Sequence, residues 1–144
     1  MAFERVYTVW DYYDGPRSGI ATYSGLPHYY SCEWNEGKGD YGDTFVLTPI
    51  DQDTFALAME QWAIWRAWED AFHRGEVPQS THPELPGSHP RYAELEAILK
   101  PRISSLTNLH RRASAVFRSL LPTQVEAAAG QIQELEVEWT DIGE

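Results

Sequence analysis

Apolar residues recur at helical spacing through one long stretch of this chain and alternate with polar ones through several short stretches. The long stretch is 50–75, I-D-Q-D-T-F-A-L-A-M-E-Q-W-A-I-W-R-A-W-E-D-A-F-H-R-G, which holds three of the six tryptophans. Asp51 is suited to cap its start, because a carboxylate accepts from the free N–H groups of a first turn. Ile50 and Phe55 have the spacing of a hydrophobic staple. Gly75 is suited to end it in the left-handed conformation, with His73 and Arg74 at the negative end of the dipole. The signals predict a helix over 52–74, about 34 Å long. At 100° per residue, Leu57, Ala58, Gln61, Trp62, Ile64, Trp65, Trp68 and Phe72 share one broad side. Arg66, Asp70 and Arg74 share the other. The apolar side is expected to lie against a sheet, where each large side chain contributes about 1.5–3 kcal/mol on burial.

The strand patterns lie before and after this helix. Residues 3–13, F-E-R-V-Y-T-V-W-D-Y-Y, are β-branched and aromatic on both faces, and D-G-P-R-S-G is turn chemistry. A short I-A-T-Y strand follows. Residues 28–34 alternate, with Tyr30, Cys32 and Trp34 on one side. A glycine-rich loop occupies 35–43, and residues 43–49 form a fourth strand that delivers the chain into the helix. Short connections between successive strands imply an antiparallel meander. The stretch 76–90 has four prolines in its E-V-P-Q-S-T-H-P-E-L-P-G-S-H-P and reads as an irregular loop or lid. Residues 91–100 predict a short helix ended by Pro101. Residues 103–121 admit a helix through Leu106, Leu109, Ala113, Val116, Phe117 and Leu120, or a strand over 111–118. Strict alternation over 133–142, with Leu135, Val137 and Trp139 against three glutamates, predicts a strand whose acidic face suits Arg112 and Arg118 on a neighbour. On that ground the strand is preferred for 111–118.

The reading is an α+β fold: an antiparallel β-meander packed against one long amphipathic helix, with a short second helix and a C-terminal strand. It counts as one domain, with the meander in 1–50, the central helix in 51–75, the Pro-rich loop in 76–90, and the short helix and C-terminal β segment in 91–144. With 144 residues the chain is long enough to bury a core without staples. If strand 3–13 keeps one apolar face uncovered, a homodimer is expected.

Charge narrows the partners. Eleven basic and 22 acidic residues leave a net −11. Such a field repels nucleic acid and anionic membranes and favours a basic protein partner. One cysteine, Cys32, excludes an internal disulfide, and Met1–Trp10 has no signal-peptide pattern. No segment reaches the roughly 18 apolar residues a membrane span needs. A cytoplasmic location is expected.

Candidate chemistry comes from two places. The turn at 11–19 gathers Asp11, Tyr13, Asp14 and Arg17, where Asp11, Tyr13 and Arg17 could bind a ligand or Asp14 and Arg17 could simply fix the turn. It lacks the spacing of a phosphate loop. On the helix, Glu69 and His73 stand four residues apart beside Trp65 and Trp68. A carboxylate there could raise the histidine pKa and make it a base, with the indoles as a stacking wall. The structural alternative makes Glu69–His73 a rim pair and gives Gln61 a backbone partner in the sheet. Histidines 28, 73, 82, 89 and 110 match no zinc spacing, so no metal or cofactor is assigned. Cys32 is predicted inward and inert.

The run W-D-Y-Y-D-G-P-R-S-G-I-A at 10–21, with W-A-I-W-R-A-W-E-D-A-F-H-R-G at 62–75, resembles a family of small bacterial proteins without an assigned activity. The likeness covers about the first half of the chain. It implies a bacterial, intracellular origin and carries over no catalytic residue. Two functional classes follow from the residues. The first is a non-catalytic protein-binding domain that uses an acidic, Tyr- and Trp-rich surface. The second is a small-molecule-binding protein or hydrolase-like enzyme with a cleft near Glu69 and His73. Exposed aromatics favour the first; a pocket joining Asp11, Arg17, Glu69 and His73 favours the second.

Overall fold

A computed structural model describes residues 2–106, 110–119 and 134–142. The described residues divide into two compact units: a β unit formed by residues up to Ile50 together with 110–119 and 134–142, and a helical unit over Asp51–Leu106.

The β unit is one seven-stranded antiparallel sheet of β1 (Glu4–Arg5), β2 (Asp11–Tyr12), β3 (Pro16–Tyr23), β4 (Leu26–Asn35), β5 (Asp40–Pro49), β6 (Arg111–Ser119) and β7 (Leu135–Asp141). Its order is β1-β7-β6-β5-β4-β3-β2. The mixed α+β class therefore holds, but the sheet is a curled half-barrel and not a plain meander. The reason lies in residues 3–13, read from sequence as one strand. Glu4 and Arg5 pair with Val137 and Glu136 of β7, while Asp11 and Tyr12 pair with Ser18 and Pro16 of β3. Between them, Val6 N donates to Leu135 O, and both Tyr7 N and Thr8 N donate to Ile20 O. One segment thus serves both edges of the sheet, which curls to meet it. Two further ties span the same edges: Tyr23 Oη donates to Asp141 at 2.7 Å and Trp139 Nε1 to Thr22 O at 2.9 Å.

The concave side is filled by side chains that alternate inward. Tyr30, Ile20, Leu47 and Val137 are fully buried. Tyr30, Phe45, Phe117 and Trp139 form a mutual ring cluster with centroids 5.7–6.0 Å apart, and such pairs contribute about 0.5–1.5 kcal/mol each beyond their buried area. Tyr30 Oη donates to Thr8 O at 2.9 Å. Gly19 permits that approach, because a Cβ there would collide with the Thr8 carbonyl and stand 2.8 Å from the Tyr30 hydroxyl.

The preference for a strand at 111–118 is realised in β6, whose helical alternative fails; residues 107–109 and 120–121 lie outside the described residues. Arg118 pairs with Glu136 of β7 across the ladder, as the charge pattern suggests. Arg112 instead reaches Glu33 of β4 at 2.8 Å. The loop expected over 35–43 shrinks to a tight turn at 36–39, since β4 and β5 run almost to its tip.

In the helical unit, α1 spans Gln52–His73 and α2 spans Pro90–Ser104, with a 3-10 turn at Gln79–Thr81. Asp51 caps α1 by accepting from Thr54 N at 2.7 Å, and Gly75 at φ 75° follows its C-cap Arg74. The α2 helix departs from expectation at both ends. Pro90 opens it behind the His89 cap, where a missing N–H costs nothing. Pro101 does not end it: one lost bond near the terminus is tolerated, and Ser105 N closes the last turn on Pro101 O at 3.1 Å. The two helices run antiparallel, tied by Arg102 to Asp53, Arg91 to Glu60 and Gln61 to Glu96. Gln61 therefore bonds a carboxylate of α2, not the sheet backbone proposed for it. Among the described residues, no helix is long and apolar enough to cross a membrane.

Candidate functional site

The β2–β3 hairpin turns through Asp14 (φ 55°) and Gly15 (φ 117°), two successive left-handed residues that a small polar side chain and a glycine can adopt. Tyr13 N donates to Gly15 O within this turn. Arg17, just past it on β3, folds back over the turn: Nε donates to Tyr13 O at 2.7 Å and Nη2 to Asp14 O at 3.1 Å. Its guanidinium also lies 4.7 Å from the centroid of the Tyr41 ring, in a cation–π contact. Arg17 is thus occupied in holding the turn to the neighbouring hairpin. The ligand-binding role considered for it would compete with all three contacts.

The neighbouring hairpin, β4–β5, contributes the rest. Its register shifts between the pairs Cys32↔Phe45 and Trp34↔Tyr41, so residues 42–44 of β5 face Glu33 alone. Such a bulge raises the local twist and re-aims side chains. Tyr30 and Cys32 are buried as alternation predicts, whereas Trp34, past the bulge and next to the end of β4, stands exposed. Trp34 meets Tyr41 edge-on at 5.3 Å and 81°, and Tyr41 meets Tyr13 at 6.2 Å and 43°. Tyr12, Tyr13 and Trp34 are 64%, 62% and 52% exposed, values that decide the matter: rings of this size are usually covered. Beneath them, Arg17 Nη1 donates to Cys32 Sγ at 3.5 Å. Cys32 is buried, and burial pushes its thiol up, with Arg17 partly offsetting it.

Charge in the chain segments that carry the rings is lopsided. Segments 11–17 and 33–43 carry Asp11, Asp14, Glu33, Glu36, Asp40 and Asp43 against Arg17 and Lys38. Asp11 accepts from Ser18 Oγ at 2.8 Å, and Glu33 is engaged by Arg112.

The other predicted residues belong to the helical unit. Trp68 stacks on Phe72 at 5.0 Å, meets the His82 ring at 4.5 Å and donates from Nε1 to Thr81 Oγ1 at 2.8 Å. It pins the Pro-rich segment to α1. Trp65 stacks on Trp62 at 5.2 Å. Glu69 is buried, 3.9 Å from Arg66, while His73 is exposed in the last turn with its ring edge against Phe72. The same unit has an open groove of about 680 Å³ along α2, lined by Leu85, Tyr92, Glu96 and Lys100 among others; neither Glu69 nor His73 lines it. Burial, then the nearby Glu84 and Glu96 carboxylates, push the Tyr92 phenol up. Among the described residues, no group of three or more His, Cys, Asp or Glu is placed to hold a metal ion.

Sequence reading did not single out Trp34 or Tyr41; their signal was the aromatic density itself, but alternation grouped Trp34 with the inward Cys32. In comparisons with known proteins, no family model, no curated protein and no solved structure matched this chain.

Proposed function

We propose that the chain is a non-catalytic interaction domain that binds a basic segment of a protein partner at the aromatic end of its sheet. The observation that carries this is the cluster of Tyr13, Trp34 and Tyr41, in which the Tyr13 and Trp34 rings are more than half exposed. Tyrosine and tryptophan are the side chains interfaces favour, because they offer large rigid area with a polar tip. The two chain segments that carry them hold six carboxylates against two cations, an imbalance that suits a cationic partner and would steer its approach.

The test is calorimetric titration with a panel of Lys/Arg-rich proteins and peptides, at low and raised salt, using the wild type and a Tyr13→Ala/Trp34→Ala double variant. Binding that weakens with salt and loses about 2 kcal/mol or more in the double variant is the expected result. Binding indifferent to the double variant, or no binding to any cationic probe, overturns the proposal.

A further inference from the structure

We infer that the Pro-rich segment 76–90 is a pH-sensitive strap, closed by two histidines that hold it only as neutral rings. His82 accepts from the Glu84 N–H through Nδ1 at 3.1 Å, and His89 accepts from the Tyr92 N–H through Nδ1 at 3.1 Å. A neutral imidazole offers Nδ1 as an acceptor only when its hydrogen sits on Nε2. A protonated ring carries hydrogens on both nitrogens and accepts nothing. Both bonds therefore require the Nε2–H tautomer, and both vanish on protonation. Histidine is the side chain whose charge changes between about pH 8 and pH 5. The closed strap thus holds fewer protons than the opened one, and its stability falls as pH drops through that range.

The two positions differ in what surrounds them. His89 caps α2, so a charge on it stands at the positive end of the helix dipole. The charged groups beside it are Arg91 in the first turn, and Glu60 of α1 and Glu94 of α2, which bind that guanidinium. At His82 the Trp68 ring of α1 lies 4.5 Å away. Glu84 follows two residues on, its carboxylate beside the Tyr92 phenol of α2. Indole and carboxylate both ease a positive charge at His82. His89 is accordingly the stronger half of the switch. Between the two rings, Pro83, Leu85 and Pro86 line the groove along α2 together with Ala93, Ala97 and Pro101. Acid loosens that side of the groove, while the bond from Trp68 to Thr81 keeps the earlier part of the strap on α1.

Native-state hydrogen exchange on the full chain tests this, read as the protection of the Glu84 and Tyr92 amides between about pH 7.5 and pH 5. Tyr92 is expected to lose about fivefold in protection as pH falls, the equivalent of one lost cap, and Glu84 somewhat less. His89→Asn and His82→Asn each keep a side-chain acceptor that does not titrate. Each variant is expected to hold its own amide at the neutral-pH level while the amide bound by the other histidine still loosens. Long-range nitrogen NMR of the wild type is expected to show both rings as Nε2–H tautomers at about pH 7.5. Protection that does not change with pH, a fall that persists equally in the asparagine variants, or an Nδ1–H tautomer at either ring overturns the inference.

Discussion

Tyr30 shows how one side chain can hold a curled sheet together. It is fully buried among Phe45, Phe117 and Trp139, and its hydroxyl reaches the Thr8 carbonyl across the position that Gly19 leaves open. Burial pushes its phenol well above the ordinary value of 10.0, with Asp11 adding to the shift. The folded state therefore holds this proton more tightly than the unfolded chain does. Its stabilising effect is complete below about pH 10 and is lost as pH rises from there towards the folded-state value, by up to about 1.4 kcal/mol per pH unit. Tyr30→Phe is expected to cost about 1 kcal/mol at neutral pH, from the lost hydrogen bond. It is also expected to flatten the fall in stability between about pH 10 and 11. Urea unfolding of both proteins across that range checks this; an unchanged slope would mean that Tyr30 ionises within the folded sheet. The same scale contains the largest surprise for sequence reading. Strand alternation groups Trp34 with Tyr30 and Cys32, yet those two are buried while Trp34, past a bulge three residues wide in the partner strand, is exposed.

At the scale of elements, α1 was legible almost to the residue because its stop and start signals are local. A capping aspartate, a charged face and a terminal glycine act over one turn. What α1 buries was less legible. Its buried members include Gln61 and Glu69, while Trp62, Trp65 and Trp68 remain partly exposed. The reason is that these indoles are committed to one another and to the 76–90 segment. Trp68 alone contacts Phe72, Thr81 and His82. Trp68→Ala is expected to lower stability by about 2 kcal/mol and to expose bonds between Gly75 and His89 to limited proteolysis. A wild-type cleavage pattern in the variant would show that the segment is held by other contacts. The N-terminal segment makes the complementary point. Its composition announces a strand, yet it is divided between two partners, β7 at its start and β3 at its end.

The molecule as a whole is strongly acidic, and that has a thermodynamic consequence besides partner choice. A net charge of −11 on one chain repels itself in the compact state. Raising salt shortens the Debye length to about 8 Å at physiological ionic strength. The melting temperature is accordingly expected to rise between low salt and about 0.15 M sodium chloride, as scanning calorimetry would record. A fall would place the balance with the attractive pairs, such as Arg91 with Glu60 and Arg102 with Asp53, which salt weakens. The sequence by itself determined the α+β class, the extent of α1, the alternating C-terminal strand and the acidic, aromatic character of the chain. All of these are carried by near neighbours, through caps, periodicity and composition. Only the tertiary structure decided that one segment serves both edges of the sheet. It also decided that Arg17 spends its charge on two carbonyls and a ring, and that Tyr13, Trp34 and Tyr41 meet at one end. Those outcomes depend on register and on a bulge, and pairing between strands distant in sequence is a choice that local pattern does not encode.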